Sequence, residues 1–208
     1  MNHHDAFVIC EDLKQAVTPA CEKVLVVGSV RRGRQDVHDL ELLCLPKEGH
    51  PAPEFGNREL MFATHLDRVF YDLEKAHKLR KIQGGPKAKR FAVNLPHYGL
   101  TQYLNEFHAE FYIITPPAQW GVGAVIRTGP ARDSDHFSKY CVTRRSFGGA
   151  LPDGYRVKHL AVWREDQLDA KGEPLRGQTP MAMPEEQDFL DFLGLGWIEP
   201  QARHAPRR

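Results

Sequence analysis

The stretch KVLVVGSVRRGRQDVHDLELLCL, residues 23–45, decides the fold of the first half of the chain. Its opening residues are apolar, mostly β-branched, and end at Gly28-Ser29, which predicts a buried strand that runs into a tight turn. The segment 39–45 begins by alternating acidic and apolar residues, which predicts a second strand with one polar face. Asp39 and Glu41 are two residues apart on this strand, so both carboxylates lie on the same side of it.

These residue types, at this spacing, suit phosphate and metal chemistry. Backbone N–H groups and the hydroxyl at Gly28-Ser29 can bind a phosphate oxygen, and the guanidinium of Arg32 is suited to bidentate phosphate contact. Two carboxylates on one strand face repel each other unless a cation lies between them, and a hard divalent ion such as Mg²⁺ fits there. A phosphate cradle beside a metal-binding pair is what nucleotidyl transfer needs. The alternative interpretation is structural: Gly-Ser is a common dipeptide, and an acidic pair two residues apart is often the solvated face of an edge strand.

The remaining pattern predicts a mixed α and β chain. Apolar spacing predicts an early helix, a hairpin around Gly84-Gly85-Pro86, a strong strand stopped by Pro116-Pro117, and further helices beyond those prolines. The predicted ranges are 7–21, 58–74, 118–127, 136–145 and 184–193 for helices, 107–115 for the strand, and 148–180 for a Gly-Pro-rich strand region. We therefore expect an α+β fold, a mixed sheet with helices on one face, and two domains, 1–117 and 118–208.

Composition limits the class of protein. The 208 residues are 41% hydrophobic and 26% charged, with a net charge of +1, which is ordinary for a globular protein. No apolar run reaches the roughly 18–20 residues of a membrane span, and the acidic N-terminus does not have the pattern of a signal peptide. The four cysteines form no C-x-x-C pair, so we expect reduced thiols, no zinc site and a cytoplasmic protein (host cytoplasm if phage-encoded).

The stretch Gly-Ser-x-Arg-Arg-Gly followed by an acidic pair resembles the signature of the DNA polymerase beta superfamily, and in this form it resembles family X DNA polymerases. Later segments are similar to the same family in the same order, so the resemblance covers about residues 20–203. These segments are AEFYIITP (109–116), Gln119-Trp120-Gly121 with Thr128-Gly129-Pro130, and Glu185-Glu186-Gln187-Asp188-Phe189 with Leu193-Gly194-Leu195, Pro200 and Arg203.

The resemblance implies a palm domain at 1–117 and a small α+β thumb at 118–208. It implies that Asp39, Glu41 and Glu110 hold two Mg²⁺ ions for template-directed addition of a deoxynucleoside triphosphate to a DNA primer 3′-hydroxyl. It also implies two groups of residues that bind the nucleotide. Gly28, Ser29 and Arg32 would bind the triphosphate, and Thr128, Gly129 and Ser138 would bind the sugar and base. His108 would lie on the same strand face as Glu110.

Some positions depart from the family pattern. Glutamate stands at two metal positions that are usually aspartate, which leaves Mn²⁺ as an alternative metal. Only about 20 residues precede the palm segment, so we expect neither a lyase domain nor a helix-hairpin-helix DNA clamp. The chain thus resembles minimal palm-thumb members of viral and phage type. We expect a monomer that performs synthesis of the short-gap repair type, without a membrane partner.

Without a clamp, DNA would be held by a basic run in the hairpin. Seven basic residues and no acidic residue lie between Lys75 and Arg90, and such a run can contact backbone phosphates. The candidates are Lys78, Arg80, Lys81, Lys87, Lys89 and Arg90. A basic run is also typical of a solvated surface. Two other functions stay open: template-independent nucleotidyl transfer to RNA, protein or a small molecule, and an inactive DNA-binding module.

Overall fold

The computed structural model describes residues 1–47, 64–129 and 136–203. The chain divides into two compact units, Met1–Ile113 and Ile114–Arg208, and this boundary lies four residues before the one expected from Pro116-Pro117. The α+β fold class is confirmed, since the structure combines a five-stranded mixed sheet with several helices. None of the helices in the described ranges has both the length and the apolar character that crossing a bilayer requires.

The first unit is built on the five-stranded sheet, whose order is β1-β2-β5-β4-β3. Strands β2 and β5 are parallel, and the other neighbours are antiparallel, so the sheet is mixed. The elements are α1 (His3–Val17), β1 (Cys21–Val26), α2 (Gly28–Arg31), β2 (Asp39–Pro46), α3 (His65–Lys75), β3 (Leu79–Gly84), β4 (Ala88–Val93) and β5 (Phe107–Ile113).

One face of this sheet carries the core. In β5 the buried residues alternate with half-buried ones, as a strand with one covered face requires. Helices α1 and α3 pack on the buried face, where Phe70 of α3 contacts Phe91 and Phe111 with ring centroids 5.1 and 4.8 Å apart. The opposite face of β2 and β5 is left for polar side chains.

The first helix differs from the prediction of 7–21 at both ends. It begins at His3 because the side chain of Asn2 accepts a hydrogen bond from the Asp5 N–H at 2.9 Å and so caps the N-terminus. It ends at Val17, where Pro19 opens a 3-10 turn. The helix predicted at 58–74 is observed as α3 from His65, and residues 58–63 lie outside the described ranges.

The second unit contains short helices and a two-stranded antiparallel sheet. Its elements are α4 (Trp120–Thr128), α5 (Phe137–Val142), β6 (Tyr155–Lys158), β7 (Ala161–Arg164) and α6 (Glu186–Phe192). These helices lie within the ranges predicted from the sequence, apart from the last residue of α4. Val122, Phe137, Leu151, Val162 and Phe189 belong to its separate apolar core.

Position 121 of this unit requires glycine, because two backbone segments approach each other closely there. The N–H of Gly121 donates to the carbonyl of Met183 at 2.9 Å, and a Cβ on residue 121 would overlap the carbonyl oxygen of Glu185. The beginning of α4 therefore packs directly on the segment that precedes α6.

Candidate functional site

The polar face of the first unit brings the predicted carboxylates together on neighbouring strands. In the parallel β2–β5 pair, Glu41 is aligned with Glu110 and Asp39 with His108. Residues two apart on a strand share a face, so Asp39, Glu41 and Glu110 all lie on the face opposite the helices. The intervening Leu40 is buried in the core on the other face.

Tyr112 links the two aligned glutamates. Its hydroxyl lies 2.6 Å from Oε2 of Glu110 and 3.1 Å from Oε1 of Glu41, and its proton can be donated to either oxygen. Tyr112 follows Glu110 by two residues on β5 and therefore shares its face. Tyr112 was not among the predicted site residues, although its spacing from Glu110 was a signal that could have identified it.

The Gly28-Ser29 turn lies against Glu41 of this pair. The N–H of Val27 donates to the carbonyl oxygen of Glu41 at 2.9 Å, which continues the contact between β1 and β2 up to the turn. Gly28 has a φ of +64°, a conformation that favours glycine, and a Cβ there would overlap the Glu41 carboxylate. The hydroxyl oxygen of Ser29 is buried and has no hydrogen-bond partner among the described residues. A ligand oxygen or a water molecule would satisfy it.

Arg32 lies one helical turn beyond Gly28. Its N–H donates to the carbonyl oxygen of Gly28 at 3.2 Å, and the residue is half-buried. The structure therefore brings the predicted phosphate-binding residues Gly28, Ser29 and Arg32 into one turn, and the Gly28 backbone lies beside Glu41.

A cationic side chain lies on the other side of Glu110. Arg90 is aligned with Glu110 in the β4–β5 pair, and its Nε lies 3.5 Å from Oε1 of that glutamate. Arg90 also donates to Nδ1 of His108 at 2.9 Å. Arginine has no acceptor, so Nδ1 is unprotonated and the proton of a neutral His108 is on Nε2, which lies 3.3 Å from Glu106. Glu110 is therefore held between a phenol and a guanidinium.

The donor chemistry of this face suits a hard divalent cation, since carboxylate oxygens are the ligands that Mg²⁺ and Mn²⁺ prefer. The unpartnered hydroxyl of Ser29, in the turn that packs against Glu41, also fits a ligand there. Across residues 1–47, 64–129 and 136–203, however, no group of three or more His, Cys, Asp or Glu side chains is arranged so that it could hold a metal ion. Glu41 and Glu110 are linked through Tyr112, and Asp39 does not complete a trio with them.

Most basic residues proposed for DNA contact are engaged with carboxylates of their own unit. Two of the six, Lys81 and Lys87, are exposed and form no ion pair with any described residue. The other four pair as Lys78 with Asp12 at 2.8 Å, Lys89 with Asp67 at 2.8 Å, Arg80 with Glu106, and Arg90 with Glu110 at 3.5 Å.

These ion pairs affect the carboxylates. Burial alone would raise the pKa of Asp12, but hydrogen bonds from Lys78 and Tyr98 outweigh burial and hold this pKa below its usual value. The pKa of Asp67 is lowered in the same way, because bonds from Lys89 and Thr64 exceed the effect of burial. Both carboxylates therefore stay ionised and compete with phosphate for their lysines.

The residues proposed for the nucleotide sugar and base lie together in the second unit. Thr128 is the last residue of α4 and is fully buried, and Gly129 follows it. A Cβ on Gly129 would lie 2.6 Å from the Ser138 hydroxyl, which donates to the Ile126 carbonyl oxygen at 2.6 Å. Ser138 thus links α5 to α4, and this hydroxyl proton is used within the fold. Residues 130–135, between Gly129 and α5, lie outside the described ranges.

The last motif of the resemblance contains a buried ion pair. Nη1 of Arg203 lies 2.5 Å from Oε1 of Glu186, and Arg203 also donates to the carbonyl oxygen of Ile198 at 3.0 Å. This pair fixes the end of the described chain to α6.

A comparison with protein-family models finds no match for this sequence, and a search of curated proteins finds none of sufficient similarity.

Proposed function

We propose that the chain is a DNA-directed DNA polymerase that adds deoxynucleotides to a primer 3′-hydroxyl. The observation that carries this proposal is the alignment of Glu41 with Glu110 beside the Gly28-Ser29 turn, on the polar face of a mixed sheet. A carboxylate pair next to a tight turn with an unpartnered hydroxyl combines the two elements that nucleotidyl transfer requires.

In this proposal Asp39, Glu41 and Glu110 would hold two Mg²⁺ ions, with Mn²⁺ as the alternative. The metal, when bound, supplies Lewis-acid activation of the attacking hydroxyl and neutralises charge on the triphosphate. Asp39 shares the strand face of Glu41 and would have to join the pair for a complete site.

The chain's own residues would bind and orient the substrates. Ser29 would donate its hydroxyl to a triphosphate oxygen, the backbone N–H groups at Gly28-Ser29 would donate to the same phosphates, and Arg32 would compensate the negative charge. For the sugar and base, the proposal depends on the family resemblance of Thr128, Gly129 and Ser138, which are buried in the second unit. Arg90 would hold Glu110 in place through the ion pair between them.

Single-nucleotide extension tests this proposal. Gapped and recessed DNA primers would be incubated with each deoxynucleoside triphosphate and Mg²⁺, then Mn²⁺, using the wild type, Asp39→Ala, Glu110→Gln and the control Asp36→Ala. Asp36 has an exposed carboxylate in the connection between α2 and β2, and it does not belong to the strand face that carries the site. We expect template-matched extension that falls by a factor of about 100 or more in the two site variants and not in the control.

Absence of extension by the wild type with both metals and both primers would contradict a DNA polymerase. Extension that persists in Asp39→Ala and Glu110→Gln would contradict the assignment of the metal ligands and leave the activity to another site.

A second candidate is nucleotidyl transfer to an acceptor other than primed DNA. The ion pairs of Lys78, Arg80, Lys89 and Arg90 favour it, because they leave fewer cations in the hairpin for a DNA backbone. Transfer of labelled nucleotide to RNA, protein or a small molecule, without a template preference, would distinguish this function. DNA binding without any transfer would indicate an inactive binding module.

A further inference from the structure

We propose that Tyr112 is a positioning residue that holds Glu41 and Glu110 together when no cation is bound, and that a divalent cation displaces its hydroxyl. This inference rests on the proposed function, because it concerns the same carboxylates. The basis is the position of the Tyr112 hydroxyl, within hydrogen-bond distance of one oxygen of each glutamate.

Two aligned carboxylates on adjacent strands repel each other. Side chains at paired positions on neighbouring strands are about 5 Å apart at Cβ, and like charges directly opposite are destabilising. A phenol proton between them offsets part of this repulsion, because a hydrogen bond to a charged acceptor is roughly twice as strong as a neutral one. Tyr112 thus offsets the repulsion between the two glutamates, as a bound cation would.

The position of Tyr112 in the sheet keeps its ring near the pair. It is aligned with Leu43 of β2 on one side and with Ala88 of β4 on the other. Leu43 is fully buried, and Tyr112 is half-buried. The ring therefore lies on the same face as Glu110, between the two neighbouring strands.

A cation and the phenol would compete for the negative charge of the same two carboxylates. Tyr112 uses Oε2 of Glu110 and Oε1 of Glu41, one oxygen from each carboxylate. A cation held by Glu41 and Glu110 would neutralise the charge that makes these oxygens strong acceptors, so the hydrogen bonds from Tyr112 would weaken and its hydroxyl would be released. The Tyr112 hydroxyl therefore lowers the affinity for the cation, and it orders the two carboxylates when no cation is bound.

The test compares Mn²⁺ binding to metal-free full-length protein, measured from the electron paramagnetic resonance of free Mn²⁺. Tyr112→Phe removes the hydroxyl and keeps the ring. Tyr103→Phe is the matched control, since the Tyr103 hydroxyl donates to Asp5 at 2.7 Å in the same unit, away from the pair. We expect Tyr112→Phe to bind Mn²⁺ about tenfold more tightly than the wild type, a change of about 1.4 kcal/mol. Tyr103→Phe should bind as the wild type does.

Thermal unfolding supplies a readout without any ligand. In EDTA, Tyr112→Phe should unfold at a lower temperature than the wild type, because the two carboxylates lose their shared donor. Saturating Mn²⁺ should remove this difference. If Tyr112→Phe does not fold, the near-ultraviolet difference spectrum of the wild type decides: Mn²⁺ should perturb tyrosine absorbance, and an unchanged spectrum overturns the proposal.

The outcomes separate this inference from the proposed function. Unchanged or weaker Mn²⁺ binding by Tyr112→Phe overturns the proposal that the cation displaces the Tyr112 hydroxyl. In that case the hydroxyl stays bonded to the glutamates while the cation is bound. Absence of Mn²⁺ binding by the wild type, or binding that Glu110→Gln does not weaken, overturns the metal site itself.

Discussion

The carboxylate of Glu41 packs directly against the backbone of Gly28. A side chain at position 28 would take the space of this carboxylate and displace it. A Cβ on residue 28 would overlap Oε2 of Glu41 and would lie 3.2 Å from its Cβ. The φ of +64° at Gly28 is also unfavourable for residues with a side chain. The turn after β1 and the carboxylate on β2 therefore depend on each other.

Gly28→Ala should disturb the site as well as the fold. We expect a loss of about 1 kcal/mol in the free energy of unfolding from the positive φ. We also expect a loss of about 10- to 100-fold in Mn²⁺ affinity, because Glu41 is displaced. The matched control is Gly99→Ala, which has a φ of +72° and nothing within 4 Å of the added Cβ.

Gly99→Ala should show the same loss of stability with unchanged Mn²⁺ binding. Both quantities can be measured by urea unfolding and by titration of Mn²⁺. If the two variants bind Mn²⁺ equally well, Gly28 is required for the turn alone.

The sequence was sufficient for the strands that carry the site. The alternation at the start of 39–45 predicted β2, the segment 107–115 before Pro116-Pro117 predicted β5, and the spacing of Asp39 and Glu41 predicted a shared face. Alternation is a local property of a strand, so it can be read without knowing the neighbouring strands. The alignment of Glu41 with Glu110 is not local, because it depends on the register between β2 and β5.

Contacts between distant residues explain what the sequence did not predict. The basic run was interpreted as available for phosphate, but the partner of Lys78 is Asp12, 66 residues earlier in the chain. The link from Tyr112 to Glu41 spans 71 residues. Charge and side-chain type are visible in a sequence, whereas the partner of a charge is fixed only when elements pack.

The pairing of the basic residues predicts which of them contribute to DNA affinity. Lys81 and Lys87 carry charges that no described carboxylate neutralises. Each phosphate contact contributes a slope of about −0.9 to the plot of log binding constant against log salt concentration. We expect Lys81→Gln with Lys87→Gln to reduce the magnitude of this slope by about two, as measured by fluorescence anisotropy with labelled DNA.

Lys14→Gln is the control for that experiment, because Lys14 lies on α1, which packs on the opposite face of the sheet, and pairs with Glu11. It should leave the slope unchanged. A slope that does not differ between the double variant and the wild type would remove the hairpin from the DNA interface.

The ion pair between Asp12 and Lys78 predicts a pH dependence of stability. The pKa of Asp12 is lower in the folded protein than its usual value, so the folded state favours the ionised carboxylate. The resulting stabilisation is fully present above the unfolded-state pKa of about 4 and is lost as the pH falls through the folded-state pKa. Asp12→Asn should therefore destabilise the protein at neutral pH, and the difference from the wild type should shrink in acid.

Urea unfolding followed by circular dichroism from about pH 7 to about pH 3 measures this effect. Asp36→Asn is the control, because its carboxylate is exposed and forms no ion pair with a described residue. A difference between Asp12→Asn and the wild type that stays constant over this range would contradict a lowered pKa.

The buried pair of Glu186 with Arg203 predicts a large loss of stability in the second unit. Arg203 is 0% exposed and Glu186 is 8% exposed, so removal of the carboxylate leaves a cation without its charged partner inside the protein. Such a loss costs about 3–5 kcal/mol, and we expect this for Glu186→Ala. The control Asp166→Ala breaks an exposed pair with Arg164 and should cost about 1 kcal/mol or less.

Tryptophan fluorescence during urea unfolding measures these losses selectively, because Trp120, Trp163 and Trp197 all belong to the second unit. The double variant Glu186→Leu with Arg203→Met removes both charges and should be more stable than Glu186→Ala, since no buried charge is left uncompensated. If Glu186→Ala is no less stable than Asp166→Ala, Arg203 finds another acceptor and the closing motif does not depend on this pair.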